Sequence, residues 1–268
     1  MTLQELLSRE FQLPSIPKVL ALLLNELDQP ELDLQRVNLQ ISTDPALTAL
    51  LLQLANSAFF KMSGRIHSVS EALALLNLDQ VRSMVRDAAA AVSMKAVPGM
   101  QLAPFWEYSL DVARVSRALA GVVRQNQQAA FTCGLIHGVG ELAMHIAMPD
   151  DMAALNSQLG PLDLRRAKAE RARFGYCYAT VGAGYARAWN FPTAMVDALE
   201  HQYAPFDNNV YEPLAGVIHL ATWRARAKAA GLSERGMAVT FPGNVGVALG
   251  LDIDMVLQQD PFDWAAHT

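Results

Sequence analysis

The chain has 268 residues, of which 52% are hydrophobic and 18% are charged, and its formal net charge is −5. The apolar content excludes a disordered chain, and the negative charge argues against a general binder of nucleic acid or of an anionic membrane. Cys133 and Cys177 have no paired spacing, which favours a reducing compartment. We find neither a secretory signal nor a run of the about 20 apolar residues that span a bilayer. We therefore expect a soluble, cytoplasmic protein.

The first part of the chain has helical periodicity. The pattern predicts a helix from Pro17 to Leu27 and a short one over about 33–40. Asp44 before Pro45 predicts a third helix start, because the carboxylate can cap free N–H groups and proline fits the first helical position. Ser68 and Glu71 have the spacing of a capping box, and the helix that follows is predicted to break near 77–79.

Pro98 and Gly99 separate a first group of helices from a second. Periodicity predicts the second group over 105–124, 129–147, 152–159, 162–174, 178–189, 193–203 and 214–230. The stretch 237–241 is short and ambiguous between strand and helix, and a last helix is predicted near 253–259. The fold class predicted from these patterns is all-α, with two lobes that meet near residue 100.

Three polar residues lie four residues apart in one apolar segment: His137, Glu141 and His145. On a continuous helix the two histidines would stand about 12 Å apart, because each residue rises about 1.5 Å, and they could not share one metal ion. We interpret the set as mainly structural, and we keep a role in a polar site open for His137.

Two basic runs, 165–173 and 224–228, are interpreted as solvated helix faces, with contact to an acidic protein as the alternative. The glycine pairs 138/140 and 182/184 neither follow a strand nor complete a phosphate-binding loop, so they predict close helix packing. Cys133 lies in an apolar run and is interpreted as a core residue. Taken alone, these residues form no convincing catalytic set.

A series of short motifs resembles the HDOD domain, the HD-related output domain of bacterial signalling proteins. The motifs of the first lobe are 13–17 (LPSIP), 43–45 (TDP), 54–58 (LANSA) and 66–72 (IHSVSEA), and those of the second are 105–106, 131–140, 182–183, 189–192 and 196–205. The resemblance covers about residues 10–230. It implies an HD-domain-like helical fold with an N-terminal helical lobe (10–100) packed on an HD-like helical lobe (101–230), followed by a C-terminal extension (231–268).

The resemblance also implies where a metal site would lie. Catalytic HD-type phosphohydrolases hold a divalent metal with histidines and an adjacent His-Asp pair, and the metal activates water against a phosphate ester. The matching positions in this sequence are Tyr108, His137, Gly138, Tyr178, Gln202 and Thr222, with His201 beside Gln202. Neutral tyrosine, glutamine and threonine are poor ligands for a hard cation. We therefore predict a vestigial site without metal, cofactor or catalytic residue, which is either a candidate ligand pocket or a packed core.

Three functions are compatible with this prediction. The first is a non-catalytic regulatory protein of bacterial signal transduction that contacts other signalling proteins through helical faces outside the core, with the tail 233–268 among them. The alternative is a divergent metal-dependent phosphohydrolase for a nucleotide or cyclic dinucleotide, which requires His137, Glu141, His201 or another carboxylate to rebuild the site. The third is a small-molecule sensor that uses the former active-site pocket. We expect neither a nucleic-acid nor a membrane partner.

Overall fold

The structure is a computed structural model that describes residues 1–9, 12–61, 64–92, 97–206 and 212–258. Within these ranges the regular structure consists of α-helices and a 3₁₀ turn (Ala58–Phe60), and no strand occurs. The all-α prediction is therefore confirmed. The α-helices are α1 (Leu3–Leu7), α2 (Pro17–Leu27), α3 (Leu34–Ile41), α4 (Pro45–Ala55), α5 (Val69–Leu75), α6 (Leu78–Val92), α7 (Leu102–Val122), α8 (Gln127–Ile136), α9 (Val139–Ala147), α10 (Pro149–Asn156), α11 (Arg166–Phe174), α12 (Tyr178–Ala188), α13 (Thr193–His201), α14 (Pro213–Ala229), α15 (Glu234–Thr240), α16 (Gly243–Leu249) and α17 (Ile253–Gln258).

Side-chain caps begin the helices of the first lobe where the sequence predicts them. Oδ1 of Asp44 accepts hydrogen bonds from the backbone N–H groups of Ala46 and Leu47, both at 2.9 Å. Its Oδ2 accepts from the N–H of Ile16 at 2.6 Å, so one carboxylate caps α4 and also holds the residue that precedes α2. Because Asp44 is fully buried, these three bonds replace the hydrogen bonds that its carboxylate would make with water. They also join the start of α4 to the start of α2.

The predicted capping box at Ser68 forms only in part. Oγ of Ser68 accepts from the N–H of Glu71 at 3.3 Å, but Glu71 accepts from the N–H of His67 at 2.7 Å and not from that of Ser68. A reciprocal pair forms instead between Asn77 and Gln80, whose side chains accept from each other's N–H at 2.9 and 3.0 Å. This pair begins α6 and explains the predicted break after α5.

One predicted helix is divided in the structure, and one ambiguous stretch is resolved. The helix predicted over 129–147 is two helices, α8 and α9, separated by a turn at His137 and Gly138. A Cβ on Gly138 would lie 2.6 Å from Cζ of Phe105, so the turn requires glycine for the close approach of that ring. The ambiguous stretch 237–241 falls almost entirely in α15, whose first turn is capped by Oγ of Ser233 at 3.2 Å from the N–H of Gly236.

The two lobes share one hydrophobic core. In the first lobe, α2 packs on α3 and α6, and α4 packs on α5 and α6. Helix α4 also contacts α8, which belongs to the second lobe. In the second lobe, α7 lies against α8 and α14, and α12 lies against α9 and α13. Helix α1 precedes the first lobe in the chain but packs on α12, where the hydroxyl of Tyr185 donates to the carbonyl of Leu6 at 2.8 Å. Residues 259–268 of the predicted extension lie outside the described residues.

The segment Gln127–Ala147, which comprises α8, the turn and α9, is long and apolar enough to cross a membrane by length and composition. This differs from our expectation that no run would reach that length. In the structure, 89% of its most apolar window is buried inside the protein. Two helices buried in a protein core can meet the same criteria of length and composition as a membrane span. Here the apolar side chains of α8 and α9 form the centre of the second lobe.

Candidate functional site

The polar residues predicted for the vestigial site come together in the interior of the second lobe. Gln202, which ends α13, donates from Nε2 to the carbonyl of His137 at 3.2 Å, and Thr222 lies on the buried side of α14. The remaining members are Tyr108 on α7, Gly138 in the α8–α9 turn and Tyr178 at the start of α12. All of them are buried, so they form a packed polar core, whereas His201 is half-buried at the end of α13.

His137 uses both of its ring nitrogens within this core. Nδ1 lies 2.7 Å from the carbonyl oxygen of Gly134, which can only accept, so Nδ1 carries the hydrogen. Nε2 lies 3.1 Å from the hydroxyl oxygen of Tyr108 and therefore accepts from it. Burial lowers the pKa of His137 to about 3, so the ring is neutral at physiological pH.

Arg226 on α14 lies at the centre of the core, although the sequence interpretation placed it on a solvated helix face. Its Nε donates to the hydroxyl of Tyr108 at 3.0 Å, its Nη1 to the carbonyl of Asp163 at 3.0 Å, and its Nη2 to the hydroxyl of Tyr178 at 3.4 Å. The guanidinium carbon lies 5.9 Å from the ring centre of Tyr108 and 5.8 Å from that of Tyr178. Both rings thus present electron density to the cation as well as a hydrogen-bond acceptor.

The centre of the core carries a fixed positive charge. Burial alone would lower the pKa of Arg226, but Tyr108 and Tyr178 raise it above its usual value, and the guanidinium stays protonated. Burial raises the pKa of both tyrosines, so their hydroxyls stay neutral. The prediction that the basic run 224–228 is a solvated face is wrong for Arg224 and Arg226, which are 9% and 6% exposed.

These residues do not fit the divalent metal that HD-type phosphohydrolases use. A guanidinium lies among the positions that would hold the ion and would repel it, and neutral tyrosines replace anionic ligands. The lone pair of His137 is engaged by Tyr108. In the part of the chain that the structure describes, no group of three His, Cys, Asp or Glu residues is placed to hold a metal ion.

A sequence profile supplies the family. The profile of the HDOD domain matches residues 13–205, which is most of the chain. The chain belongs to the HDOD domain family. The HDOD motifs recognised in the sequence fall within or beside this range, and the motif positions 108, 137, 138, 178 and 202 all lie inside it.

Solved structures share the HDOD fold over nearly the full chain. A fragment of the MmoQ response regulator from Methylococcus capsulatus is 25% identical, covers 91% of this chain and 94% of its own, and superposes with a TM-score of 0.70. A virulence factor from Campylobacter jejuni is 17% identical, with 98% and 96% coverage and a TM-score of 0.70. An HDOD domain protein from Geobacter sulfurreducens is 21% identical, with 98% and 94% coverage and a TM-score of 0.53.

A relative of unassigned function from Treponema pallidum (strain Nichols) is 24% identical over 217 residues, which is 80% of this chain. The match spans only 42% of that relative's length.

A second buried polar cluster of the HDOD domain surrounds Arg166. Its Nη2 lies 2.7 Å from Oε1 of Glu141, its Nε donates to Oε1 of Glu170 at 2.9 Å, and its Nη1 donates to the carbonyl of Leu159 at 2.7 Å. All three charged side chains are buried, so the solvated face predicted for 165–173 is wrong for Arg166. Burial and the nearby charge of Glu170 raise the pKa of Glu141, which favours a proton on this carboxyl.

The two clusters are joined through α12. Oε2 of Glu170 accepts from the backbone N–H of Tyr178 at 2.8 Å, and the hydroxyl of the same tyrosine accepts from Arg226. His145 donates from Nδ1 to the carbonyl of Glu141 at 2.9 Å, and its Nε2 accepts from Nδ2 of Asn156 at 3.0 Å. Glu141 and His145 are therefore structural residues of the second cluster, as the sequence interpretation favoured.

The glycine pairs of the HDOD domain permit close helix packing, as predicted. A Cβ on Gly140 would clash with the carbonyl oxygen of Tyr178 and would lie 2.7 Å from the backbone nitrogen of Gly182. Helices α9 and α12 therefore cross in direct backbone contact. A Cβ on Gly184 would lie 2.6 Å from a methyl group of Leu7, so glycine at this position allows α1 to pack closely on α12. These crossings hold Tyr178 beside the polar core.

Proposed function

We propose that this HDOD chain is a regulatory protein of bacterial signal transduction that acts through contacts with other signalling proteins and performs no catalysis. The observation that carries the proposal is the position of Arg226. A buried guanidinium that is bonded to Tyr108 and Tyr178 supplies the positive charge in the place where an HD-type enzyme needs an exchangeable metal and a water molecule.

The family and one neighbour support the signalling part of the proposal. The HDOD profile covers residues 13–205, and the solved fragment at 25% identity is described as a response regulator. A fold shared with HD-type enzymes does not by itself imply a reaction, because activity depends on the site that the fold carries. The proposal places this chain in the same broad class.

The phosphohydrolase alternative requires ligands that are already engaged. Glu141 pairs with Arg166, His137 accepts from Tyr108, and His201 is half-buried at the edge of the core. A metal could bind only after these pairs were broken and Arg226 was displaced. We therefore do not propose a reaction for this site.

The catalytic half of the proposal is tested with the purified chain, prepared without chelator and without nickel affinity resin. We expect elemental analysis to find well below one iron, manganese or zinc per chain. We also expect no hydrolysis of bis(p-nitrophenyl) phosphate or of a cyclic dinucleotide above the rate of buffer with added Mn²⁺ or Mg²⁺. Stoichiometric metal together with activity that disappears in His137→Ala would contradict the proposal.

The contact half is tested on the C-terminal extension, where Val239 and Val247 are 79% and 82% exposed. We expect proteins that cross-link to the chain in its host to be lost when both valines are changed to aspartate. Phe59→Ser provides a matched change at a side chain that is 80% exposed in the other lobe, and it should leave the cross-linked set unchanged. If both variants retain the whole set, the extension is not the contact surface.

A further inference from the structure

Helix α1 packs in the second lobe, although the helices that follow it in the chain belong to the first. Leu6 of α1 is fully buried in an apolar cluster to which α9, α10, α11 and α12 contribute, and Leu3 and Leu7 pack against the same cluster. Leu13 belongs instead to the hydrophobic core that the two lobes share. Helix α1 and the chain from Leu13 onward are therefore held by different parts of the apolar interior.

The three leucines of α1 occupy one side of the helix. They lie at i, i+3 and i+4, a spacing that places side chains on the same face, whereas Gln4, Glu5 and Ser8 are exposed. Helix α1 thus has the amphipathic pattern of a helix that binds in an apolar groove. Its five residues are too few for a stable isolated helix, because about 12–15 residues are needed in water. Contact with the second lobe therefore keeps this segment helical.

The groove that receives α1 has an adaptable apolar lining. Met144, Met148 and Met152, from the end of α9 and the start of α10, belong to the cluster that contains Leu6, and all three are buried. Methionine side chains are flexible and polarisable, so they can fit the leucines of a bound helix without a fixed shape. Gly184 of α12 leaves the space next to Leu7. Such a lining accepts related helices and not only a single sequence.

Two tyrosine hydroxyls hold the backbone of α1 at its two ends. The hydroxyl of Tyr176 donates to the carbonyl of Met1 at 3.0 Å. The hydroxyl of Tyr185 donates to the carbonyl of Leu6 at 2.8 Å. Both acceptors are main-chain carbonyls, which a helix of any sequence offers. The site therefore recognises the leucine pattern through apolar contact and the helix backbone through hydrogen bonds.

Release of α1 need not disturb the first lobe. The N–H of Ile16, directly before α2, donates to Oδ2 of Asp44 at 2.6 Å. This bond anchors the chain at Ile16 independently of α1, so an opening that frees α1 stops before α2. When α1 leaves, the hydroxyls of Tyr176 and Tyr185 exchange its carbonyls for water, and these polar groups of the groove keep a partner.

We propose that the groove between α9, α10 and α12 is a docking site for a partner protein that presents a short helix with leucines at i, i+3 and i+4. Helix α1 is an autoinhibitory strap, which covers the groove until such a helix displaces it. The occupant is assigned from α1 itself, because a segment with this pattern already lies in the groove. This inference rests on the proposed role in protein contacts, but it concerns a different surface from α15 and α16, so each can fail while the other stands.

The test is fluorescence polarisation of a labelled peptide of residues 1–9 (MTLQELLSR), titrated with the full chain. Leu6→Glu in the chain places a charge in the apolar cluster and should expel α1, so the peptide should bind this variant saturably at one site. The wild-type chain should bind it at least about tenfold more weakly, because the tethered α1 competes at a local concentration of about millimolar. Leu39→Glu makes the same change at a side chain that is 67% exposed and should behave as wild type.

Two further variants locate the bound peptide. Gly184→Leu, added to the Leu6→Glu chain, fills the space next to Leu7 and should abolish peptide binding. Gly243→Leu, added in the same way, is the matched control and should leave the affinity unchanged, because a Cβ there meets nothing within 4 Å. A peptide that carries Leu6→Glu should not bind. Circular dichroism and the unfolding midpoint establish that each variant is folded.

Hydrogen exchange of the wild-type chain tests the strap without any variant. The amides of α1 should exchange through local opening, faster than those of α12. Each of four results would overturn the proposal. The amides of α1 exchange only when the whole protein unfolds; the peptide binds the folded Leu6→Glu chain no more tightly than wild type; Gly184→Leu leaves peptide binding unchanged; or light scattering finds a wild-type dimer that Leu6→Glu dissociates, which would make α1 of a second copy the occupant.

Discussion

The guanidinium of Arg226 donates a hydrogen bond from Nε to the hydroxyl of Tyr108 across 3.0 Å. The hydroxyl donates in turn to Nε2 of His137, 3.1 Å away, and Nδ1 of His137 donates to the carbonyl of Gly134. Each bond has one possible direction, because a guanidinium cannot accept and a carbonyl cannot donate. This ordered series connects α14, α7 and α8, and several predictions depend on it.

Removal of the buried cation should destabilise the fold. Arg226→Met keeps a long apolar stem but leaves the hydroxyls of Tyr108 and Tyr178 and the carbonyl of Asp163 without their donor. We expect a loss of about 1–3 kcal/mol in the free energy of unfolding, measured by urea denaturation. Arg235→Met on the exposed surface of α15 is the control and should leave the midpoint unchanged. Equal stability of Arg226→Met and wild type would mean that the guanidinium does not hold the core together.

Substitution of the neighbouring residues Arg165 and Arg166 should change the free energy of unfolding by very different amounts. Arg166 is buried between Glu141 and Glu170, whereas the side chain of Arg165 is 73% exposed and pairs with Asp163. Arg166→Met leaves buried carboxylates without their cation and should cost about 3–5 kcal/mol at pH 7. The loss should shrink at acid pH, because burial raises the pKa of Glu141 and the protonated form of this carboxyl needs no cation. Arg165→Met should unfold at the wild-type midpoint, and similar losses in both variants would contradict the burial of Arg166.

Acid should destabilise the protein through its buried histidines. Burial lowers the pKa of His137 to about 3, and it also lowers the pKa values of His145 and His219. The unfolded chain therefore binds protons below about pH 6.5 that the folded chain does not, and His137 lowers the free energy of unfolding by about 1.4 kcal/mol for each pH unit below that value. This stability is present above pH 6.5 and is lost as the pH falls towards 3. His137→Gln should reduce the slope between pH 6 and pH 5 by about one proton, and an unchanged slope would show that His137 is protonated in the folded state.

The backbone contact between α9 and α12 predicts a strong effect of one methyl group. Gly140→Ala places a Cβ against the carbonyl of Tyr178 and the nitrogen of Gly182, both of which belong to the backbone and cannot rotate away. We expect a loss of about 3 kcal/mol or more, because the two helices must separate. Gly243→Ala is the matched control, since a Cβ there meets nothing within 4 Å at the first position of α16. Thermal unfolding of the pair, followed by circular dichroism, measures the difference directly.

The sequence predicted the helices well where a short-range signal begins or ends them. Asp33 and Asp44 accept from the first free N–H groups of α3 and α4, and such caps need only residues two or three positions away. The break at His137 and Gly138 was missed because the apolar pattern continues through it and outweighed a local signal, the glycines at 138 and 140, which disfavour an undistorted helix. The close approach of the Phe105 ring, which is distant in the chain, accounts for glycine at 138.

The family resemblance named Tyr108, His137, Gly138, Tyr178, Gln202 and Thr222, which lie together in the polar core, but it did not name Arg226 at the centre of that core. Arg226 was assigned to a solvated run because clustered basic residues usually face water. A signal was nevertheless present: Arg226 lies four residues after Thr222, so the helix face that carries Thr222 inward also carries Arg226 inward. Arg166 has a similar signal in Glu170, one turn later on α11. Whether such a pair faces the interior depends on tertiary packing, which the local pattern does not contain.

The charge at the centre of the second lobe is covalently attached to the chain. A metal ion in that position would leave under a chelator, would depend on the supply of the element in the cell and would change with its oxidation state. The guanidinium of Arg226 does none of these, because it stays protonated at any pH a cell reaches and it cannot dissociate. The positive charge at this position is therefore put in place by folding itself, without a separate loading step.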